Sequence, residues 1–228
     1  MTTALTRPAA AAGIDGLGWS YILGTFLTYV PVTSHAKALE VAGIALAAAA
    51  PDSDDHVALA LRPNRVELTL TDRDIGQVTA RDIELAAGIS TALAERGFMT
   101  KALPDGQPRG VQLVEFAIDA LDIAAIRPFW KAVLGYVSEP GLDGPTGALV
   151  DPQRLGPPLW FQQMDEPRPQ RNRIHFDLTV PHEEAEARIA AALAAGGTLV
   201  TDEYARSFWV LADREGNEIC VCTWQDRD

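Results

Sequence analysis

The sequence predicts an α+β fold in two domains: an antiparallel sheet with helices, then a pair of βαβββ modules. Residues 174–180 alternate apolar and polar side chains, which is the period of a half-buried strand. Residues 114–119 alternate in the same way, and each strand precedes a helix-like run, a glycine and short strands. Residues 98–110 have the Pro and Gly content of a linker. We therefore predict domains at residues 1–98 and 110–228.

The composition limits the classes of function. The chain has 228 residues, of which 47% are hydrophobic, enough for one large core or two small ones. A net charge of −12 argues against nucleic acid or an anionic membrane surface as a partner. No apolar run is long enough to span a bilayer, and residues 1–18 lack the apolar core of a signal peptide. Cys220 and Cys222, at or beyond disulfide reach on one strand, are typical of reduced thiols. We expect a cytoplasmic protein that binds a small molecule.

The first half alternates strands and helices. The predicted elements are one or two strands in 19–32, a helix from Thr33 or Ser34 to about Ala50, a hairpin of strands 56–61 and 66–71, and a helix from Thr79 to about Gly97. Thr33 or Ser34 can cap the first helix, and Thr79 with Asp82 resembles a capping box for the second. Residues 1–15 show no clear period, which predicts a loose segment.

The second half repeats one unit. The predicted elements are strand 114–119, helix 123–134, strands near 148–151 and 158–163, then strand 174–180, helix 182–195 and strands 198–201, 208–212 and 218–223. Gly135 ends the first helix, and Pro128 indicates that this helix begins near it. The turns at residues 151–156 and 213–216 correspond. One module is too small to bury its sheet alone, so we expect the two to pack together.

Polar side chains share one face of three predicted strands. The polar rows are Glu115, Ala117 and Asp119; His175, Asp177 and Thr179; and Glu218, Cys220 and Cys222. The opposite rows, such as Ile174, Phe176 and Leu178, are apolar enough to pack under the helices. Because polar groups on an inner face need hydrogen bonds, a metal or a ligand, this face is a candidate small-molecule site.

Residues 111–224 resemble the glyoxalase-like, vicinal-oxygen-chelate superfamily. The matching stretches are 129–135, 172–178 and 209–221. The resemblance implies two βαβββ modules in one curled sheet, which often holds a divalent metal on the first and last strands of each module.

Carried over to this chain, the metal positions are Glu115, His175 and Glu218. A His with two carboxylates can hold Zn²⁺, Mn²⁺ or Fe²⁺. The fourth position falls on Pro158, which is not a side-chain ligand, so its neighbours on that strand face, Trp160 and Gln162, join Asp177 as ligand-binding candidates. The alternative is that His175 and Glu218 hold the strands in register by hydrogen bonds.

Residues 19–93 resemble pterin-4a-carbinolamine dehydratase, most clearly at residues 64–82. In that family a His-His-Pro run and a later His move protons so that a 4a-hydroxyl leaves as water, chemistry that suits imidazole near neutral pH. The resemblance also implies a homo-oligomer.

This chain departs from the dehydratase pattern. It has Asp55, His56 and Val57 in place of His-His-Pro, and Arg73 in place of the later His. Arg73 stays protonated, so it can bind an anion or a carbonyl oxygen but cannot act as a base. Asp55 can act as an acid or base only if its surroundings raise its pKa. With Asp82, which is retained, these residues make the candidate catalytic set His56, Asp55, Arg73 and Asp82.

Three functions remain open from the sequence. The first is a small-molecule lyase resembling 4a-hydroxytetrahydrobiopterin dehydratase, with a reduced histidine set, joined to a glyoxalase-like ligand-binding domain. The second is a metal-dependent lyase, isomerase or dioxygenase that uses Glu115, His175 and Glu218. The third is a small-molecule-binding protein without catalysis, in which His56 is an ordinary histidine at the start of a strand. The lost histidines favour the second and the third.

Overall fold

The computed structural model describes residues 3–102, 113–167, 174 and 176–226. The chain divides into two compact units, Met1–Leu113 and Val114–Asp228. Within the described ranges, no helix has the length and apolar character needed to cross a membrane.

The first unit is an antiparallel sheet with helices. Its elements are α1 (Arg7–Gly13), β1 (Ser20–Ile22), β2 (Thr25–Pro31), α2 (His35–Ala49), α3 (Ser53–His56), β3 (Val57–Arg62), β4 (Arg65–Leu70) and α4 (Ala80–Ala94). The strand order is β1-β2-β4-β3, and every pairing is antiparallel. Side chains of β2 alternate between core and surface, with Phe26, Thr28 and Val30 buried. This is the period that a sheet covered on one face by helices requires.

Both long helices of this unit begin at their predicted caps. The Ser34 hydroxyl accepts a hydrogen bond from the backbone N–H of Lys37 (3.2 Å) at the start of α2. Thr79 and Asp82 form a reciprocal capping box at the start of α4. Each cap satisfies backbone donors that the first helical turn leaves without partners.

Residues 1–15 differ from the prediction, because α1 lies within them. Thr6 caps this helix, and Ala10 is fully buried in the core of the unit. A run of alanines has the highest helix propensity but no contrast between polar and apolar faces, so periodicity does not detect it.

The first unit also continues past residue 98. Lys101 and Tyr29 exchange backbone hydrogen bonds of 2.8 and 3.0 Å, which adds part of the predicted linker to the sheet. Residues 103–112, which hold most of the rest of that linker, lie outside the described residues. The predicted boundaries at residues 98 and 110 stay predictions.

The second unit repeats one topology. Its elements are β5 (Phe116–Ala120), α5 (Ile123–Leu134), β6 (Val137–Ser138), β7 (Leu149–Val150), β8 (Leu159–Gln163), β9 (Asp177–Thr179), a 3₁₀ turn (His182–Glu184), α6 (Ala185–Ala194), β10 (Thr198–Thr201), β11 (Phe208–Ala212) and β12 (Glu218–Cys222). The strand orders are β5-β8-β7-β6 and β10-β11-β12-β9. In each sheet the first strand of the module pairs in parallel with the last. The predicted α+β class with paired βαβββ modules is confirmed.

Helix α5 has the predicted bounds, residues 123–134, and the alternative start near Pro128 is wrong because the helix begins five residues before this proline. The side chain of Asp122 caps it by accepting from Ala125 N (3.1 Å). The carboxylate of Glu215, from the second module, accepts from the backbone N–H groups of Leu121 (2.8 Å) and Asp122 (2.7 Å). These contacts fix the start of the helix before the proline is reached, and Gly135 ends it with φ 69°.

The two corresponding turns are each built on one aspartate. Asp151 accepts from the backbone N–H groups of Gln153, Leu155 and Gly156. Asp213 accepts from those of Glu215 and Asn217, and also from the indole N–H of Trp130 in α5 (2.9 Å). The second turn therefore ties one module to the other.

The apolar rows of the inner strands are buried only in part. Ile118, Ile219 and Val221 lie in the core as predicted, whereas Ile174 is 70% exposed. Phe116 and Phe176 are also partly exposed and contact each other edge to face, with ring centroids 5.2 Å apart. Phe116 begins β5 and Phe176 directly precedes β9, and among the described strands each of these two lies at the edge of its sheet.

Candidate functional site

In the first unit, His56 and Asp82 form a hydrogen-bonded pair. The last residue of α3 brings Nδ1 of His56 to 2.8 Å from Oδ1 of Asp82, in the first turn of α4. The side chain of Asp82 is fully buried, and that of His56 is 11% exposed. A carboxylate acceptor at Nδ1 places the N–H there and leaves Nε2 as the acceptor of the neutral ring.

The capping box holds the carboxylate of Asp82 in place. Its second oxygen, Oδ2, accepts from the backbone N–H of Thr79 (2.7 Å) and from the Thr79 hydroxyl (2.9 Å). Both oxygens of Asp82 are thus engaged, one with the start of the helix and the other with the imidazole. One residue therefore caps α4 and orients His56.

Asp55 and Arg73, the other two catalytic candidates, are linked to His56 through hydrogen bonds to the backbone on either side of it. The backbone N–H of Arg73 donates to the carbonyl of Asp55 (3.1 Å), and its Nη2 donates to the carbonyl of Val57 (3.1 Å). Arg73 does bind a carbonyl oxygen, but that oxygen belongs to this chain. Asp55 is an exposed residue beside His56. The structure therefore brings His56 and Asp82 into contact, while Arg73 holds the backbone on either side of the histidine.

Sequence reasoning missed a second bridge between α3 and α4. Nε of Arg81 lies 2.7 Å from Oδ2 of Asp52, and its Nη1 lies 2.6 Å from Oε2 of Glu84. The hydrogen bond to Glu84 is the largest cause that raises the pKa of Arg81, and the hydrogen bond to Asp52 is the next largest. The spacing of Arg81 and Glu84 at i and i+3 was the one available signal.

In the second unit, β5 and β8 present part of the predicted polar row on one face. Ala117 lies opposite Trp160, and Asp119 lies opposite Gln162. Trp160 is 39% exposed, and Glu115 and Gln162 are also exposed. An accessible indole beside polar side chains can hold a small molecule by stacking and hydrogen bonding.

Glu139 belongs to the same neighbourhood, although the sequence gave no signal for it within a Pro- and Gly-rich loop. Burial raises the pKa of its carboxyl; the nearby Arg154 lowers it, and the charge of Glu115 raises it further. The net shift is upward, so this carboxyl holds its proton to a higher pH than usual.

The polar row of the second module brings Cys220 beside Asp177. These residues are partners in the parallel pair β12 and β9, and Cys222 is the partner of Thr179. Burial raises the pKa of the Cys220 thiol to about 11, and the charge and hydrogen bond of Asp177 add to the shift. Cys220 and Cys222 are both thiols and are not joined in a disulfide. Cys220 is thus a protonated hydrogen-bonding group rather than a nucleophile at neutral pH.

The predicted metal set is placed only in part. His175 lies outside the described residues, so its distances to Glu115 and Glu218 are not defined. Among the residues that are described, no three His, Cys, Asp or Glu side chains come together as a metal site would need.

Comparison with known proteins identifies the second unit. Residues 115–222 match the family described as glyoxalase-like domain. This part of the chain is a glyoxalase-like domain. The resemblance predicted from stretches 129–135 and 209–221 is confirmed for it. No curated protein matches the chain.

Solved structures resemble parts of the chain. A glyoxalase/bleomycin resistance protein/dioxygenase family enzyme from Burkholderia phytofirmans PsJN is 19% identical, with a TM-score of 0.40 over 49% of this chain and 98% of its own. A glyoxalase/bleomycin resistance protein from Albidiferax ferrireducens T118 is 19% identical, with a TM-score of 0.36 over 49% and 97%. A transcriptional coactivator/pterin dehydratase from Brucella melitensis is 22% identical, with a TM-score of 0.36 over 40% and 98%. At these identities the likeness concerns the fold alone.

Proposed function

We propose that the first unit is a proton-transfer site, a hydro-lyase of reduced power that acts on a small ring compound such as a 4a-hydroxypterin. We propose further that the glyoxalase-like domain binds a small molecule. The observation that supports the first proposal is the pair of His56 and Asp82, with 2.8 Å between Nδ1 and Oδ1. A histidine oriented by a buried carboxylate is the usual arrangement of a side chain that donates and accepts protons.

The proposed reaction is the loss of water from a carbinolamine. The C–O bond breaks, a proton from Nε2 of His56 leaves with the hydroxyl as water, and the ring N–H proton passes to a solvent water molecule as the C=N bond forms. Protonation is needed because hydroxide is a poor leaving group, and one such acid–base group contributes about 10²–10⁴-fold to a rate. The hydrogen bond to Asp82 holds the imidazole of His56 in position as it donates.

The test is a stopped-flow assay of the full chain with 4a-hydroxytetrahydropterin. We expect a slow but measurable rate that His56→Gln lowers by about 10²-fold or more. His35→Gln is the matched control, because His35 is an exposed histidine of the same unit, at the start of α2. A His56→Gln variant as fast as the unsubstituted chain would contradict the proposal.

A second proposed function places the chemistry in the glyoxalase-like domain, with Glu115, Trp160, Gln162, His175, Asp177 and Glu218 as ligand-binding residues. The exposed indole of Trp160 beside Gln162 and Glu115 supports it. If a divalent metal takes part, Glu115, His175 and Glu218 are the residues to hold it. Calorimetric titration of the full chain with Zn²⁺, Mn²⁺ and Fe²⁺, repeated with Glu218→Gln, tests the metal. Heat of binding that Glu218→Gln leaves unchanged would exclude this ligand set.

A further inference from the structure

Two side-chain bridges join the short helix α3 to the first turn of α4. Asp52 precedes α3 and His56 ends it, while Arg81 and Asp82 are adjacent in α4. Asp52 pairs with Arg81 at 2.7 Å, and His56 pairs with Asp82 at 2.8 Å. The four residues of α3 are therefore held at both ends by one turn of a longer helix.

The Asp52 end of this arrangement controls the backbone of His56. The carbonyl of Asp52 accepts from the backbone N–H groups of Asp55 (3.3 Å) and His56 (3.2 Å). A shift of Asp52 is thus transmitted to His56 through one helical turn. On the other side, Arg73 fixes the carbonyl of Val57.

The two bridges differ in exposure. The side chains of Arg81 and Asp52 are 40% and 36% exposed, whereas that of Asp82 is fully buried. An ion pair in contact with water adds little to stability. It still fixes geometry, because the planar guanidinium holds the carboxylate of Asp52 through Nε, while Glu84, in the same helix, binds a different nitrogen, Nη1.

We propose that Arg81 is a positioning residue for His56. By holding Asp52, Arg81 sets the orientation of α3 and keeps the imidazole in line with the carboxylate of Asp82. The inference rests on the proposed proton-transfer role of His56. A histidine whose ring drifts from the line of its carboxylate loses rate, since misplacement by about 1 Å can cost about 10²-fold.

The experiment compares Arg81→Gln, Asp52→Asn and Glu84→Gln in the full chain. Turnover of 4a-hydroxytetrahydropterin gives kcat and KM, and proton NMR gives the low-field signal of the His56 Nδ1–H that the carboxylate holds. We expect Arg81→Gln and Asp52→Asn to lower kcat by about 10-fold with little change in KM, and to broaden the signal. Glu84→Gln, which removes the other partner of Arg81, should change neither.

The NMR signal separates this inference from the proposed function. If the unsubstituted chain shows no turnover, the proton-transfer function fails, and the signal alone decides the positioning role. A signal that is sharp in Glu84→Gln and broad in Arg81→Gln supports it. An unchanged signal and kcat in Arg81→Gln would overturn it. Should Arg81→Gln fail to fold, Asp52→Asn decides by the same two measurements.

Discussion

Cys220 lies directly opposite Asp177 in the parallel pair of β12 and β9, and the carboxylate is within hydrogen-bonding reach of the thiol. The thiol is a weak acid, first because burial disfavours the charged thiolate and then because a thiolate would lie beside the negative charge of Asp177. This relationship leads to the first prediction.

Cys220 should resist alkylation at pH 8. With a pKa of about 11, only about one thiol in a thousand is ionised at that pH. Asp177→Asn removes the charge, lowers the pKa and should speed the reaction with iodoacetamide, whereas Asp119→Asn on β5 should not. Peptide mass spectrometry measures the rate at each cysteine. A rate at Cys220 equal to that of a free thiol peptide would contradict the pKa.

The same shift predicts how stability depends on pH. The folded thiol keeps its proton above 9.0, the ordinary pKa, up to about 11. The folded state then binds more protons than the unfolded state, so stability should fall as the pH rises through this window. Cys220→Ser should flatten that part of the curve.

Asp213→Ala should destabilise the glyoxalase-like domain by about 2–4 kcal/mol, because it leaves the buried indole N–H of Trp130 and two backbone N–H groups without an acceptor. Asp151→Ala is the control and should cost about 1 kcal/mol, since within the described residues its carboxylate accepts hydrogen bonds from its own turn alone. Urea unfolding followed by tryptophan fluorescence measures both. Equal losses in the two variants would argue against the link between modules.

Dehydratase turnover should be well below that of a relative with all three histidines. Asp55 and Arg73 occupy two of those positions, and each acid–base group is worth about 10²–10⁴-fold. Asp55→His with Arg73→His should therefore raise the rate in the stopped-flow assay, and Asp54→His should not. Rates already comparable to such a relative in the unsubstituted chain would contradict the prediction.

The chain should self-associate. Trp19, Phe26 and Val30 lie in the core of the first unit and need no cover from a second copy. However, α2 leaves Leu39 64% exposed and Leu46 38% exposed. Light scattering at micromolar concentration should give a mass above the 24.5 kDa of one chain, and Leu39→Glu should reduce it. Met99→Glu, which changes a similarly exposed apolar residue, is the control. A mass of one chain for the unsubstituted protein would contradict the prediction.

Local patterns predicted most of the fold. Ser34, Thr79 with Asp82, and Gly135 mark helix ends through contacts within one turn of the chain, so the sequence is enough to find them. Helix α1 was not predicted because its alanines give no contrast between a polar and an apolar face. The bounds of α5 were predicted as residues 123–134, but the contact of Glu215 that fixes its start was not, because Glu215 comes from the other module.

The candidate site was less accessible to sequence reasoning. His56 and Asp82 were chosen by resemblance, but their contact joins residues 26 positions apart, and no periodicity relates them. Arg81 and Asp52 are surface charges of a kind that is usually only solvated. Glu139 lies in a loop whose glycines and prolines indicate a turn. These residues do not indicate which carboxyl group of the loop is buried.

The contacts of Glu215 and Asp213 make the two copies of the repeat unequal. Both residues belong to the second copy, yet their carboxylates serve the helix of the first, at Leu121, Asp122 and Trp130. Counting back five residues from the glycine after each helix, the position of Trp130 is held by Ala191 in the second copy, so no matching indole exists there. The first module thus takes acceptors for these groups from the second, and it would lose them if it were produced alone.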